Sequence, residues 1–342
     1  MSIKPLKLAL IGATGLVGRT MLRVLEERRV KIAELIPVAS IKSRGTTISF
    51  AGRDYAVSTL EDGFWENADV ALLSPGAKVS AKWVPQLAAA GVVCIDNSSA
   101  FRLDAKVPLV VPEVNPEAIG KGALIIANPN CSTIQLVVAL APLHREFGLE
   151  EVVVATYQSA AGAGQKGKAQ LLSEIAGQAD NSGIFPHPLF HNVIPAIGAF
   201  SNDGICGEER KMILETRKIM NLTDLRVYPT TVRVPIAHCH GEAVHLSFQK
   251  DVNAARAREI LAASSGIQVL DQPERHLYPL PRDCFDRDDV FVGRVRQIEG
   301  RSRTLDFWIV ADNLRKGAAT NTVQILELML ERGFIGNGHR AR

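Results

Sequence analysis

The sequence predicts an α/β fold in two parts. A doubly wound parallel sheet is expected over residues 1–130, completed by a C-terminal helix over 315–342, and an α+β part with a mixed, largely antiparallel sheet over 131–314. Three observations predict this. Short apolar runs alternate with helical patterns in the first third, a glycine-rich turn joins the first run to the first helix, and the later runs are longer and alternate polar with apolar residues. Wholly apolar short strands belong to parallel sheets covered on both faces, whereas alternating strands keep one wet face.

Taken in order, Leu6–Ile11 reads as a buried strand, Gly12–Gly18 as a turn, and Arg19–Arg28 as a helix with Met21, Leu22, Val24 and Leu25 on its apolar side. Ala33–Val38 is the second strand, followed by Asp69–Leu73, Val92–Asp96, Leu109–Val111 and Leu124–Ile126. Thr133–Phe147 has a helical pattern. The longer strand-like runs are Glu151–Ser159, Leu225–His238, Glu242–Lys250, Val290–Gln297 and Thr304–Ala311, with helices expected at Gln165–Gln178, Glu208–Met220 and Asn253–Ala263. A last helix at Gly317–Glu331 is of the kind that returns to the first domain, and the chain from Gly333 reads as a frayed tail.

Composition narrows the function. A net charge of +3 on 342 residues gives no reason to invoke nucleic acid or a membrane surface. No apolar stretch is long enough for a spanning helix, and the N-terminus lacks the apolar core of a secretory leader. The five cysteines are odd in number, widely spaced and without a CxxC pair, so neither a disulfide framework nor a metal site is expected, and a cytoplasmic setting fits.

The chemistry begins at Gly12-Ala-Thr-Gly15-Leu-Val-Gly18. Glycines at a strand-to-helix turn let backbone N–H groups approach a pyrophosphate at the helix N-terminus. The second strand ends in Val38-Ala-Ser40-Ile-Lys42-Ser43-Arg44, with two hydroxyls and two cations where NAD-binding units usually carry a carboxylate. That set suits a 2′-phosphate and points to NADP. Asn128-Pro-Asn130-Cys131-Ser-Thr133 places a thiol between an apolar run and a helix. N–H groups and the helix dipole at such a junction favour the thiolate and can hold an oxyanion. Alone, a free cysteine is more often a small buried hydrophobe. Its candidate partners are Gln158 and a histidine of His238-Cys239-His240, and strand spacing puts both histidines on one face without choosing between them.

These segments resemble the aspartate-β-semialdehyde dehydrogenase family over nearly the whole chain. Further matching motifs are Asp96-Asn-Ser-Ser-Ala-Phe-Arg102, Val111-Pro-Glu-Val-Asn115, Tyr157-Gln158, Glu208-Glu-Arg-Lys-Met212, Arg233-Val-Pro235 and Asp312-Asn-Leu-Arg-Lys-Gly-Ala-Ala-Thr-Asn321. The resemblance implies a Rossmann-type cofactor domain and a catalytic and dimerisation domain. It implies Cys131 as nucleophile, His240 as general acid/base by its spacing from Arg233, and Gln158 as an orienting group. Arg233 would pair with the substrate carboxylate and Glu208 with its amino group, while Arg102, Asn130 and Lys211 would hold phosphate. Cofactor contacts would come from Gly12, Thr14, Gly15, Leu16, Val17, Ser40, Ser43, Arg44, Ser74, Gly76, Ser98, Gly162 and Asn321. The implied reaction interconverts aspartate semialdehyde and aspartyl phosphate with NADP and phosphate, in a homodimer or dimer of dimers, on the route to lysine, methionine and threonine. Two positions depart from the family pattern: Gly241 stands where a serine is usual, and Arg44 where a small residue is expected. Rival readings are N-acetyl-γ-glutamyl-phosphate reductase, disfavoured by the Glu208–Arg233 pair, and a silent paralogue, disfavoured by the intact Cys131, Gln158, Arg233 and His240.

Overall fold

The computed structural model describes residues 6–63, 67–178 and 183–335; the first five residues and the end of the expected tail lie outside them. The chain divides into two compact units, one of residues 1–129 and 318–342, the other Asn130–Gly317.

In the first unit β1 (Leu6–Ile11) leads into α1 (Leu16–Glu27) and β2 (Ile32–Val38). A small antiparallel hairpin follows, β3 (Thr47–Phe50) and β4 (Arg53–Ala56), then β5 (Val70–Leu73), α2 (Ala77–Ala89), β6 (Val93–Asp96) and β7 (Ile125–Ala127). The main sheet is wholly parallel, in the order β2-β1-β5-β6-β7. Its strands are mostly apolar because both faces are covered: Leu8 and Leu10 enter one core with Met21 and Leu25 of α1, and Ala9 and Ile11 enter another with Val84 and Leu87 of α2. Strand order reverses between β1 and β5, and in such sheets ligands bind at the strand ends beside that switch point.

The second unit opens with α3 (Cys131–Phe147), which is buried on nearly every side. Next come β8 (Leu149–Gln158), α4 (Gly164–Ile175), α5 (Gly207–Met220), β9 (Arg226–Arg233), β10 (His240–Phe248) and α6 (Ala254–Ala262). The unit ends with β11 (Ile267–Val269), the short α7 (Pro281–Cys284), β12 (Val290–Arg296) and β13 (Thr304–Ala311). The six strands form a mixed sheet in the order β11-β12-β13-β10-β8-β9, parallel only at its two edges. Helix α3 packs on β8, β10, β12 and β13, flanked by α5 and α6. A π-helical turn, Arg315–Ala319, then leads to α8 (Thr320–Glu331). Val323, Leu326 and Met329 of α8 join the first unit's core beside α1, and Arg28 of α1 grips Glu327 through two guanidinium nitrogens.

The doubly wound parallel sheet and the mixed second sheet are both present. Three expected segments differ. Leu109–Val111 makes only a single bridge, Leu109 to Ala127, because Pro108 and Pro112 flank it and supply no ladder donors. The run from Leu225 ends as a strand at Arg233, two residues before Pro235. The alternation assumed for His238 and His240 fails because Cys239 takes φ 65°, a left-handed backbone that breaks the period. His238 therefore precedes β10, half-buried with its ring 4.3 Å from Phe285, while His240 opens the strand and is fully buried. The β3–β4 hairpin, α2 and β11 had no expectation attached.

The glycine turn is sterically required. A Cβ on Gly18 would lie 2.3 Å from the Gly12 carbonyl oxygen, and Gly12 itself has φ 88° with Ser74 against its Cα. We expect Gly18→Ala to lower stability by about 1–3 kcal/mol despite alanine's better helix propensity, since overpacking against backbone outweighs it. Urea denaturation would measure this; an unchanged midpoint would show that the turn yields.

Candidate active site

Cys131 is the first residue of α3, and Asn130 caps the helix by accepting the Ser132 and Thr133 N–H groups at 3.0 and 3.2 Å. Asn130 is itself fixed. Its amide nitrogen donates to Glu208 Oε1 at 2.8 Å, and its backbone N–H to Glu215 Oε2 at 2.6 Å. Gly317 presses on the thiol residue from the other side, where a Cβ would sit 3.0 Å from Cys131 Cβ. Cys131 alone among the five free cysteines is not buried. Burial pushes the Cys94 and Cys239 thiols far up and Cys284 up to about 12, which keeps them protonated and unreactive.

Around the thiol the second unit gathers six of the expected residues. Gln158, at the end of β8, donates to Ser132 Oγ at 2.5 Å and to Glu208 Oε1 at 3.1 Å, leaving its own carbonyl oxygen buried without a protein partner. Lys211 pairs with Glu208 Oε2 at 3.0 Å, one helical turn along α5. Arg233, at the end of β9, donates to the Ser159 carbonyl at 2.6 Å and lies over the Phe185 ring. Burial lowers its pKa, and the coupling of its charge to Glu208 and to Cys131 only partly offsets this. His240 accepts the Ser159 N–H on Nδ1 at 3.1 Å. The neutral ring therefore carries its proton on Nε2, a buried nitrogen with no protein partner. Burial, then the Arg233 charge, depress His240 to about 3, so the imidazole is neutral at physiological pH. Gly162 keeps this corner open: a Cβ there would lie 2.7 Å from an Arg233 nitrogen and 3.2 Å from His240 Nε2.

Glu208 is charged although buried. Burial works to raise its pKa, but the Lys211 charge and the bonds from Asn130, Gln158 and Lys211 outweigh it and hold the carboxyl at about 2.

In the first unit, Gly12 and Ser74 meet at the ends of β1 and β5, Gly15, Leu16 and Val17 begin α1, and Gly76 (φ 92°) begins α2. Thr14 Oγ1 lies 3.5 Å from Ser43 Oγ, which joins the glycine turn to the loop after β2; Ser40 on that loop is exposed. Gly15 gives α1 no side-chain cap, and the backbone N–H groups at such a helix N-terminus fit a pyrophosphate. Arg44 is paired with Asp62 at 2.7 Å, so a carboxylate that the sequence reading did not anticipate stands at this loop. Ser98 and Asn321 are buried and engaged internally: Ser98 donates to Asp96 at 2.6 Å, and Asn321 to Asn128 Oδ1 at 2.7 Å and the Val110 carbonyl at 3.0 Å. Arg102 is also buried, held by the Asn128 and Asn97 carbonyls at 2.9 and 2.7 Å.

Sequence reasoning missed Ser132, Ser159, Glu215 and Gly317. Gly317 lies inside the Asp312–Asn321 motif, where the family resemblance gives a role to Asn321 alone. The Gly241 departure has a steric cause: the Trp308 ring occupies the space, with Cζ2 2.4 Å from where a Cβ would be. Among the described residues no acidic, histidine and cysteine cluster could hold a metal ion, and no helix is long and apolar enough to cross a membrane.

A dinucleotide-type parallel sheet followed by a mixed sheet that gathers Cys131 with the buried Gln158, Arg233 and His240 marks the class as an oxidoreductase. Comparison with known proteins sharpens this. Residues 7–122 match the model "Semialdehyde dehydrogenase, NAD binding domain" and residues 140–316 "Semialdehyde dehydrogenase, dimerisation domain". Aspartate-semialdehyde dehydrogenase of Aquifex aeolicus is 45% identical over 96% of this chain and 99% of its own. The structure of aspartate semialdehyde dehydrogenase II from Vibrio cholerae complexed with ASA is 43% identical, with a TM-score of 0.92 over 96% of this chain and 99% of the other. That of aspartate semialdehyde dehydrogenase with NADP from Candida albicans is 25% identical, with a TM-score of 0.76 over 97% of this chain and 100% of the other. The chain belongs to the aspartate-semialdehyde dehydrogenase family.

A carboxyl depressed from 4.5 to about 2 contributes stability that is fully present above pH 4.5 and lost as pH falls toward 2. We expect Glu208→Gln to flatten the stability–pH curve across that window and to cost about 1–3 kcal/mol at neutral pH through the partners it strands. Urea midpoints at stepped pH would show it; a slope equal to wild type would mean Glu208 is not held ionised.

Proposed function

We propose that this chain catalyses the reversible conversion of L-aspartyl 4-phosphate to L-aspartate 4-semialdehyde with NADP, through a thioester on Cys131, in the amino-acid branch leading to lysine, methionine and threonine. The observation that carries this reading is the placing of one half-buried thiol at the capped N-terminus of α3, within a cluster that holds Gln158, Arg233 and His240.

The N-terminus of α3 and the Arg233 charge favour the Cys131 thiolate over the thiol. In the biosynthetic direction the thiolate attacks the acyl carbon of aspartyl phosphate, a C–S bond forms, and the C–O bond to phosphate breaks. Arg233 takes the substrate α-carboxylate, where a planar guanidinium can engage both oxygens. Glu208 takes the substrate ammonium; its ionised state and its buried position suit a cation. Gln158 orients the acyl group, and Arg102, Asn130 and Lys211 hold the phosphate. Gly12, Thr14, Gly15, Leu16 and Val17 would hold the cofactor, which when bound would supply hydride as NADPH or accept it as NADP⁺. His240 offers Nε2–H to the substrate oxygen and stabilises the oxyanion of the tetrahedral hemithioacetal, a neutral imidazole serving as donor. Cleaving the C–S bond then frees the semialdehyde and returns the thiolate. Covalent attachment splits one difficult transfer into two easier ones.

The outer face of the mixed sheet exposes Val153, Tyr157 and Tyr228, which suits pairing with a second copy as a homodimer or a dimer of dimers. NAD use is the second reading, because the Arg44–Asp62 pair sets a competing carboxylate where a 2′-phosphate would be bound. The hydroxyls of Ser40 and Ser43 and the cation of Lys42 favour NADP.

The deciding assay follows reduced-cofactor formation from aspartate semialdehyde, with NADP⁺ and with NAD⁺, with and without phosphate. Phosphate-dependent reduction that is lost in Cys131→Ala, with cofactor affinity kept, is the expected outcome. Turnover surviving in Cys131→Ala would remove the nucleophile assignment, and no activity with the semialdehyde would favour a different acyl-phosphate reductase or a silent paralogue. Arg102→Leu should raise the phosphate KM about tenfold to a hundredfold, the size of a lost charged hydrogen bond. An unchanged KM would take Arg102 out of the phosphate site.

A further inference from the structure

Two residues beyond His240 on the same face of β10 lies Glu242, fully buried. Its strand neighbours in register are Thr156 on β8 and Ile309 on β13, both inaccessible to solvent. Neither carboxyl oxygen has a hydrogen-bond partner in the protein. The polar side chain that interacts with it is Gln135 of α3, also fully buried, whose Oε1 is likewise unpartnered and whose Nε2 donates to the His240 carbonyl at 3.4 Å. Among the described residues no lysine or arginine acts on Glu242: β8 offers Thr156 at this level, β13 offers Ile309, α3 offers Gln135, and His240 is the titratable neighbour on its own strand.

A carboxylate cannot donate to Gln135 Oε1, because both groups are acceptors. A carboxylic acid can, through its O–H. One proton therefore serves two orphaned acceptors. A protonated Glu242 would then have Gln135 Oε1 as its acceptor, and Gln135 Nε2 donates to the main chain of His240. An ionised Glu242 would instead be a buried charge without a counter-ion. It would also add negative charge beneath the ring that faces the developing oxyanion.

We propose that Glu242 works as an uncharged carboxylic acid which, through Gln135, positions His240 for its role at the substrate oxygen. It is a positioning residue and touches no reactant. Burial raises its pKa well above the ordinary value of 4.5 and outweighs the Gln135 side chain, which works to lower it. The sign follows. A carboxyl with a raised folded pKa binds more protons when folded than when unfolded, so stability falls as pH rises above 4.5.

The kinetic part rests on the proposed reaction; the protonation part does not. Infrared spectroscopy of the whole protein at neutral pH should show a buried protonated-carboxyl band that is missing from Glu242→Gln. Thermal midpoints should show Glu242→Gln gaining on wild type as pH rises from 5 to 9. In the semialdehyde assay, Glu242→Gln should keep kcat within about threefold, whereas Glu242→Leu and Gln135→Leu should each lower kcat tenfold or more with KM little changed. The isosteric amide would thus rescue what the apolar residue loses. Absence of the infrared band, or a tenfold kcat loss in Glu242→Gln equal to that in Glu242→Leu, would overturn the neutral-acid role. Full kcat in a folded Glu242→Leu would overturn the positioning role. A wild type inactive on the semialdehyde would count against the proposed reaction alone, and the infrared and thermal results would still decide the protonation state.

Discussion

Asn130 is the residue on which the second unit's chemistry turns. Its side-chain oxygen closes the N-terminus of α3, its side-chain nitrogen fixes Glu208, and its backbone N–H is fixed by Glu215. A cap satisfies N–H groups that would otherwise be orphaned. Here it does so with the carbonyl oxygen alone, so the amide nitrogen is left to tie the helix to α5. The thiol that follows inherits a fixed position, and the carboxylate at the other end of the bond inherits part of the hydrogen bonding that keeps it ionised.

That arrangement explains why so much charge can be buried in one place. Glu208, Arg233 and His240 are nearly or fully inaccessible, and each is held in a definite protonation state by a different balance. For Glu208, three donors outweigh burial. For Arg233, neighbouring negative groups oppose it. For His240, burial and a neighbouring cation act together, and the ring stays neutral. Groups fixed in this way present dipoles and charges without reorganising when substrate charge develops. The crowding has a steric counterpart in two glycines: Gly162 leaves room beside His240 Nε2 and Arg233, and Gly317 lets the π-helical turn approach Cys131.

Much of the fold was legible because it rests on local pattern. The all-apolar runs of the first unit read as strands since their two faces bury against different helices, as Leu8 and Ala9 do. Where the reading failed, a backbone detail intervened: prolines around Leu109–Val111, Pro235 after Arg233, and the left-handed turn at Cys239. The last is instructive for the site. Period-two reasoning left His238 and His240 equivalent, and one residue at positive φ separates a half-buried ring stacked on Phe285 from a buried ring bonded to Ser159. Glu215, Ser159 and Gly317 were not legible because their importance comes from partners distant in sequence.

The Gly241 departure shows how a family position can change without disturbing the chemistry next to it. Alternation along β10 turns Gly241 to the face opposite His240 and Glu242, so its substitution is answered on that face, by Trp308 lying on the glycine and by Tyr157 meeting Trp308 edge-on with centroids 5.4 Å apart. The inner face keeps the polar set that α3 covers. A strand that separates its two faces by single-residue alternation can thus seat an indole on one side while the histidine on the other stays bonded to the Ser159 amide. The constraint on this chain is accordingly narrower than the motif suggests: the inner-face histidine is tied to Ser159, Gln135 and Arg233 by named bonds and a charge coupling, and the outer-face residue is tied only to whatever fills the space above it.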